Sequence, residues 1–233
     1  MPYLHRMNEV FVLDLGVEGQ ADTENRLTPD WMNEVQACLD EVERSTGPAG
    51  LVTTGTGKFY SLGFEPERFL RPDVGEYLMA GQRLFARVLT LSVPTVAAIR
   101  GHVFAGGALF AMAHDQRVMR ADRGFFCLPE IDLGLDLGST GLILPGGMAD
   151  LLTARLPART ARTAILTGHR YGGVEALDAG IVDAIAGDAD ATLAAAVSIA
   201  AGLARTRGPG LSAMKRWLYR DVLAGLSELA LTA

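Results

Sequence analysis

Apolar and polar positions alternate between two periods along this chain, and the switches predict its elements. Val10 to Leu15 is a nearly unbroken apolar, β-branched run and predicts a strand. A polar loop follows from Val17 to Leu27. Thr28-Pro29-Asp30 then marks a helix start, with Thr28 as cap and Pro29 at the first helical position. Trp31, Val35, Cys38, Leu39 and Val42 recur at helical spacing as far as about Arg44, and Gly47-Pro48 ends that segment. Gly50 to Thr54 and Pro94 to Ile99 read as short buried strands. Between them Glu76 to Leu91 reads as a helix, with Tyr77, Leu84, Phe85 and Val88 on its buried side. Gly106 to His114 predicts an apolar helix, Gln116 to Met119 a strand, and Phe125-Phe126-Cys127 a further short strand.

The C-terminal third is mostly helical in pattern. Helices are predicted at about Pro145–Ala154 and Ala158–Leu166. Gly173 to Ala179 predicts a short helix leading into a strand from Ile181 to Ile185. Two longer helices follow, Ala189 to Thr206 and Pro209 to about Leu229. Strands alternating with helices give an α/β class. No repeat of fixed period and no linker divides the chain. We therefore expect one domain over residues 1–233, with a core over about 1–156 and a helical portion from about 157.

Composition narrows the functional classes. A net charge of −6, with no basic block interleaved with aromatics, argues against a nucleic-acid surface. No run reaches the ~18 uncharged apolar residues of a membrane span, and Met1 to Asn8 contains no apolar signal region. The expected location is cytoplasmic. The two cysteines, Cys38 and Cys127, sit in apolar or helical contexts and read as core thiols.

Several chemistries lack their motifs. Gly138-Ser139-Thr140-Gly141 is one residue short of a nucleophile elbow. Gly57-Lys58 lacks the rest of a P-loop, and Gly55-Thr56-Gly57 lacks the third glycine of a dinucleotide fingerprint. His5, His102, His114 and His169 show no metal-ligand spacing. His114 ends an apolar helix, where a charged histidine would favour the helix dipole.

Two glycine-bearing segments carry the candidate chemistry, Lys58-Phe59-Tyr60-Ser61-Leu62-Gly63-Phe64 and Arg100-Gly101-His102-Val103-Phe104-Ala105-Gly106-Gly107-Ala108-Leu109. Each puts backbone N–H groups beside glycine at the end of an apolar run, and two such donors aimed at one point hold an oxyanion. Each has a plainer reading as well: an ordinary loop for the first, close helix–strand packing for the second. A single acid, Glu130 of Leu128-Pro129-Glu130, follows. The combination suggests enolate chemistry on an acyl thioester with one carboxylate as base.

An ordered set of segments resembles the crotonase (enoyl-CoA hydratase/isomerase) superfamily over nearly the whole chain. The set comprises Asn25-Arg26-Leu27-Thr28, Lys58 to Phe64, Val93 to Gly101, Ala105-Gly106-Gly107, Asp115, Leu128-Pro129-Glu130, Leu166-Thr167-Gly168, Glu175-Ala176 and Ala179 to Val182. The resemblance implies a spiral of ββα units with a helical C-terminal portion, assembled as a homotrimer or a dimer of trimers. It implies an acyl-CoA substrate, with coenzyme A part of that substrate and neither metal nor separate cofactor. It also implies that the N–H groups of Phe64 and Gly106 form the oxyanion hole and that Glu130 is the catalytic acid–base. Arg26, Leu27, Ser61, Leu62, Gly63, Ala105, Gly107, Leu109 and Pro129 would surround the substrate.

Family hydratases use two glutamates, and the position of the first is Leu109 here. Leucine cannot hold or deprotonate water. Shifting a double bond from C3–C4 to C2–C3 needs only one base and a held thioester oxygen. The run Tyr60 to Glu65 and the stretches Ala111 to Asp115 and Met119 to Phe125 are similar to plant-type Δ3,Δ2-enoyl-CoA isomerases, which also carry an apolar residue at the Leu109 position. The stretch Asp132 to Met148 is glycine-rich and matches less well. Two alternatives stay open: a hydratase or thioester hydrolase using Asp132 or Asp136, and an acyl-CoA binder without turnover. Glu65 reads as a polar loop residue. Lys58, Arg26, Lys215 and Arg216 are either cations for the phosphates of coenzyme A or solvated surface charges.

Overall fold

The computed structural model describes residues 1–132 and 145–228. Nine strands fall into two sheets among these residues. The larger contains β1 (Tyr3–Met7), β2 (Val10–Asp14), β3 (Gly50–Thr54), β5 (Thr95–Ile99), β7 (Gln116–Arg120) and β9 (Ala184–Ala186), side by side in that order. Only β1 runs antiparallel to its neighbour. The smaller sheet is parallel and contains β4 (Phe59–Ser61), β6 (His102–Phe104) and β8 (Phe126–Cys127). From β3 onward, consecutive strands go alternately to the two sheets, and α2 (Val74–Leu89) or α3 (Gly106–Met112) closes the unit. This is the expected spiral of ββα units.

Strands β2, β3 and β5 are buried along their whole length, which is why their sequences read as unbroken apolar runs. Val10, Val12, Val52, Val96 and Ala98 meet Ala196 and Ala200 of α7 (Ala189–Leu203) on one face. Phe11, Leu13, Leu51 and Ala97 face the main core on the other. Helix α1 (Pro29–Arg44) begins as the sequence predicts: the Thr28 hydroxyl accepts from Trp31 N–H, and Pro29 opens the first turn. Trp31, Val35, Leu39 and Val42 form its buried stripe, and the Trp31 indole donates to Leu15 O at 2.8 Å.

The C-terminal portion contains α4 (Gly146–Arg155), α5 (Ala158–Thr167), α6 (Gly173–Asp178) and α7, followed by α8 (Pro209–Leu218) and α9 (Arg220–Leu226). Several expectations change. The single helix predicted from Pro209 breaks at Tyr219, whose backbone leaves helical geometry (φ −108°, ψ 21°) while its hydroxyl accepts from Arg155; Leu229 lies outside the described residues. The strand predicted at Ile181–Ile185 begins later, at Ala184. Ile181 and Val182 are instead buried in the turn after α6, their N–H groups on Ala176 O. Strands β4 and β6 are three residues long, too short to show a period, and β1 mixes His5 and Arg6 with its apolar residues, so none of the three is read from pattern.

His114 does not carry the charge expected of it. It is fully buried, and desolvation pushes its imidazole down to about 3, so it is neutral. Nδ1 lies 2.9 Å from Phe110 O and Nε2 2.9 Å from Thr53 Oγ1, which also meets the Tyr60 hydroxyl at 2.7 Å. Because a carbonyl only accepts, Nδ1 carries the proton, Thr53 donates to Nε2, and Tyr60 donates to Thr53.

Candidate active site

The small sheet is parallel, so the segments leaving β4, β6 and β8 emerge at the same end and side by side. They carry Leu62-Gly63-Phe64, Ala105-Gly106 and Leu128-Pro129-Glu130. The end of a parallel strand set is where α/β sheets place ligands.

The turn after β4 is pinned from outside. Asn25 Nδ2 donates to Tyr60 O at 2.9 Å, Ser61 Oγ donates to Asn25 O at 2.7 Å, and Leu27 N donates to Gly63 O at 2.9 Å. The Gly63 N–H is taken by Ser61 Oγ at 3.1 Å. The Phe64 N–H is left without an acceptor among the described residues. Gly63 has φ +79°, and a Cβ there would lie 2.5 Å from Gly106 N. Both its conformation and its closeness to the next turn demand glycine.

After β6, Ala105 adopts φ 51° and ψ −127°, a region that costs a non-glycine residue of order 1–3 kcal/mol. Surrounding bonds hold it there: its N–H donates to Cys127 O at 3.1 Å, and its carbonyl accepts from Ala108 and Leu109. The turn starts α3 at Gly106, whose N–H belongs to the unsatisfied first turn of the helix. A Cβ at Gly106 would lie 3.3 Å from Phe64 N, so the two free donors are neighbours.

Phe64 and Gly106 both line a cavity of about 250 Å³, together with Leu109 and Glu130. Phe69, Leu78 and Met148 add apolar wall, and Arg26 and Arg170 are its cations. Glu130 is 5% exposed, and its Oε2 has no hydrogen-bond partner among the described residues. Burial raises its carboxyl from 4.5 to about 7, against a small opposing pull from its own backbone N–H. Among the described lining residues it is the sole carboxylate. The Cys127 thiol also lines the cavity, donates to Gly168 O at 3.2 Å, and is pushed up to about 11 by burial, so it stays protonated near neutrality. A cavity with two free N–H donors and one carboxyl poised near pH 7 is equipped to hold a negative oxygen and move a proton.

Of the residues expected around the substrate, Arg26, Leu62, Phe64, Ala105, Gly106, Leu109, Pro129 and Glu130 line this cavity. Leu27, Ser61, Gly63 and Gly107 stand behind its wall. Leu27 is fully buried in the core and Ser61 bonds the turn described above; Gly107 lets α3 approach, since a Cβ there would lie 2.5 Å from Ser61 O.

The candidate phosphate cations separate. Lys215 is not a free cation: it is buried, with Nζ on Asp115 Oδ2 at 2.6 Å and Val93 O at 3.0 Å. Lys58 is exposed beside the Phe59 ring, and Arg216 is exposed on α8. Arg26 pairs with Glu24 at 2.6 Å and donates to Phe64 O. Glu65 pairs with Arg68 at 2.6 Å. Asp132 is exposed, and Asp136 lies outside the described residues. The sequence reading missed Phe69, Leu78, Phe104, Met148 and Arg170 on the cavity wall. Leu78 falls on the apolar face of α2 and was legible there; Arg170 shows no local signal.

Comparison with known proteins gives the family and the fold. The enoyl-CoA hydratase/isomerase family model matches residues 19–228. Enoyl-CoA delta isomerase 3 of Arabidopsis thaliana is 31% identical, covering 94% of this chain and 92% of its own length. A probable enoyl-CoA hydratase of Bacillus subtilis is 32% identical over 84% of this chain and 75% of its own. The solved structure of an enoyl-CoA isomerase from Mycobacterium tuberculosis, 24% identical, superposes with a TM-score of 0.86, covering 100% of this chain and 98% of that one. That likeness establishes the crotonase fold.

Proposed function

Because the chain belongs to the enoyl-CoA hydratase/isomerase family, we propose that it is a Δ3,Δ2-enoyl-CoA isomerase working with a single acid–base. The observation that carries this reading is the pairing of Glu130 with Leu109 in one cavity. Glu130 is the sole carboxylate among the described lining residues, and the position that supplies the first glutamate of family hydratases is a buried leucine. Water addition requires two groups to position and activate water and to protonate C2. A 1,3-proton shift requires one.

In this mechanism the thioester oxygen accepts from the N–H groups of Phe64 and Gly106. Glu130, ionised, takes a proton from C2. The electron pair delocalises over C2–C4 and the carbonyl as a dienolate, and the negative oxygen is held by the two donors. Losing one such donor typically raises a barrier by ~2.7–4 kcal/mol. Glu130, now protonated, returns the proton to C4, and the double bond ends at C2–C3. The apolar wall that includes Leu109 keeps water from the dienolate and sets the basicity of Glu130 near neutrality.

The test is ultraviolet absorbance of a 3-enoyl-CoA mixed with the protein or with its Glu130→Gln variant. Conjugated 2-enoyl thioester is expected with the wild type and, at most, a ~10²–10⁴-fold slower rise with the variant. Loss of conjugation from a 2-enoyl-CoA at comparable rate would favour a hydratase. Binding of acyl-CoA with no turnover of either thioester would overturn the enzymatic reading.

A further inference from the structure

Resting on the acyl-CoA reading above, we infer that the aromatic ring of Phe64 is the wall that sets how long an acyl chain this cavity accepts. The proposed oxyanion chemistry uses only the N–H of Phe64, yet its side chain is large and placed with unusual care. The ring lines the cavity and is 7% exposed. It lies in a notch between two glycines on different helices. A Cβ at Gly106 of α3 would sit 2.6 Å from Cδ2. A Cβ at Gly81 of α2 would overlap Cζ and sit 2.7 Å from Cε1. Both glycines are buried, and Gly81 is in the middle of α2, where glycine weakens a helix relative to alanine. Admitting the ring is the reason the structure offers for tolerating it there.

Around the notch the ring meets Tyr77, Phe85 and Phe69 edge to face, at centroid distances of 5.3, 6.2 and 6.3 Å. These contacts leave it no room to swing away, so the ring is a fixed part of the cavity wall beside Leu78 of α2. Truncation to alanine removes six ring carbons and joins the notch to the cavity, opening space for roughly three or four chain carbons, since an aromatic carbon fills less volume than a methylene and the surroundings collapse in part. Phe64 is then a specificity-determining residue through its ring and an oxyanion donor through its backbone.

The two roles separate in a binding experiment. Saturated acyl-CoAs from butyryl to tetradecanoyl are titrated calorimetrically into the wild type, Phe64→Ala, Phe64→Leu and the double variant Phe64→Ala/Gly81→Ala. Affinity should rise by up to about fourfold per methylene while the chain still finds apolar wall, then level off. Phe64→Ala should move the levelling point to longer chains by several carbons, and Phe64→Leu, three carbons smaller than phenylalanine, by fewer. Adding Gly81→Ala should move it part of the way back. Thermal melts give a second arm that holds even where Phe64→Ala is poorly stable. Gly81→Ala should lower Tm with Phe64 present, because its methyl meets the ring, and raise Tm in Phe64→Leu or Phe64→Ala as the crowding falls. A uniform loss of affinity at every length with an unmoved levelling point, or the same sign of the Gly81→Ala effect in every background, would overturn the inference. Failure of the wild type to bind any acyl-CoA would instead remove the functional reading beneath it.

Discussion

Replacing Glu130 by glutamine should make the protein more resistant to high pH, in an amount the site geometry sets. The carboxyl titrates near 4.5 in the unfolded chain, and burial raises it to about 7 in the fold. Ionising it in place therefore costs about 3 kcal/mol more than ionising it in water, at about 1.4 kcal/mol per tenfold. Below pH 4.5 the group is protonated in both states and contributes no slope. Between 4.5 and 7 the unfolded chain releases its proton first, so stability falls as pH rises. Above about 7 both states are ionised and the full loss persists. Glutamine has no such proton. Urea unfolding of both proteins at pH 5 and pH 8.5 isolates the effect, because every other titrating group is shared. The stability of Glu130→Gln relative to wild type should increase by about 2.5 kcal/mol between the two conditions, with equal m-values. A difference that changes by less than about 1 kcal/mol would mean that Glu130 ionises as freely as in water, and the dry cavity would lose its main support.

Three further outcomes follow from the same geometry. Because the ionised form of Glu130 is the base, kcat/KM on a 3-enoyl-CoA should rise with pH through about 7 and level off above it; a plateau already reached by pH 5.5 would contradict the raised carboxyl. Leu109→Glu places a second carboxylate on the cavity wall. It should lower stability near neutral pH by about 3 kcal/mol and introduce measurable hydration of 2-enoyl-CoA, seen as loss of conjugated absorbance; no gain at all would show that Leu109 is not what separates the two reactions. Lys215→Met removes the buried partner of Asp115, which among the described residues keeps only the Thr95 N–H. Chemical denaturation should report a loss of about 2–3 kcal/mol with little change in acyl-CoA affinity, whereas weakened affinity at unchanged stability would restore Lys215 as a ligand cation.

Much of this molecule is written in local pattern. The α1 start is legible in Thr28-Pro29 because capping and proline geometry are local. Strands β2, β3 and β5 are legible because a strand buried on both faces must be apolar throughout. The two glycine segments and Glu130 are recognisable in the sequence as a set, and so is the leucine at position 109. Strands β4 and β6 are another matter. They are three residues long and exist only because they pair with distant segments, so no periodicity announces them, whereas β8 is legible as the short apolar run at Phe126-Cys127. Yet these three strands bring Phe64, Gly106 and Glu130 to one end of one sheet.

The sequence by itself therefore determined the fold class, the order of most helices and the residue types available for chemistry, since these depend on neighbours a few positions apart. Tertiary structure alone decided which of those residues share a wall. It drew Lys215 inward onto Asp115, made His114 a neutral core residue, left Oε2 of Glu130 without a partner among the described residues, and wedged Phe64 between Gly81 and Gly106. Each of these outcomes rests on desolvation or contact between segments distant in the chain, and local sequence carries no record of either.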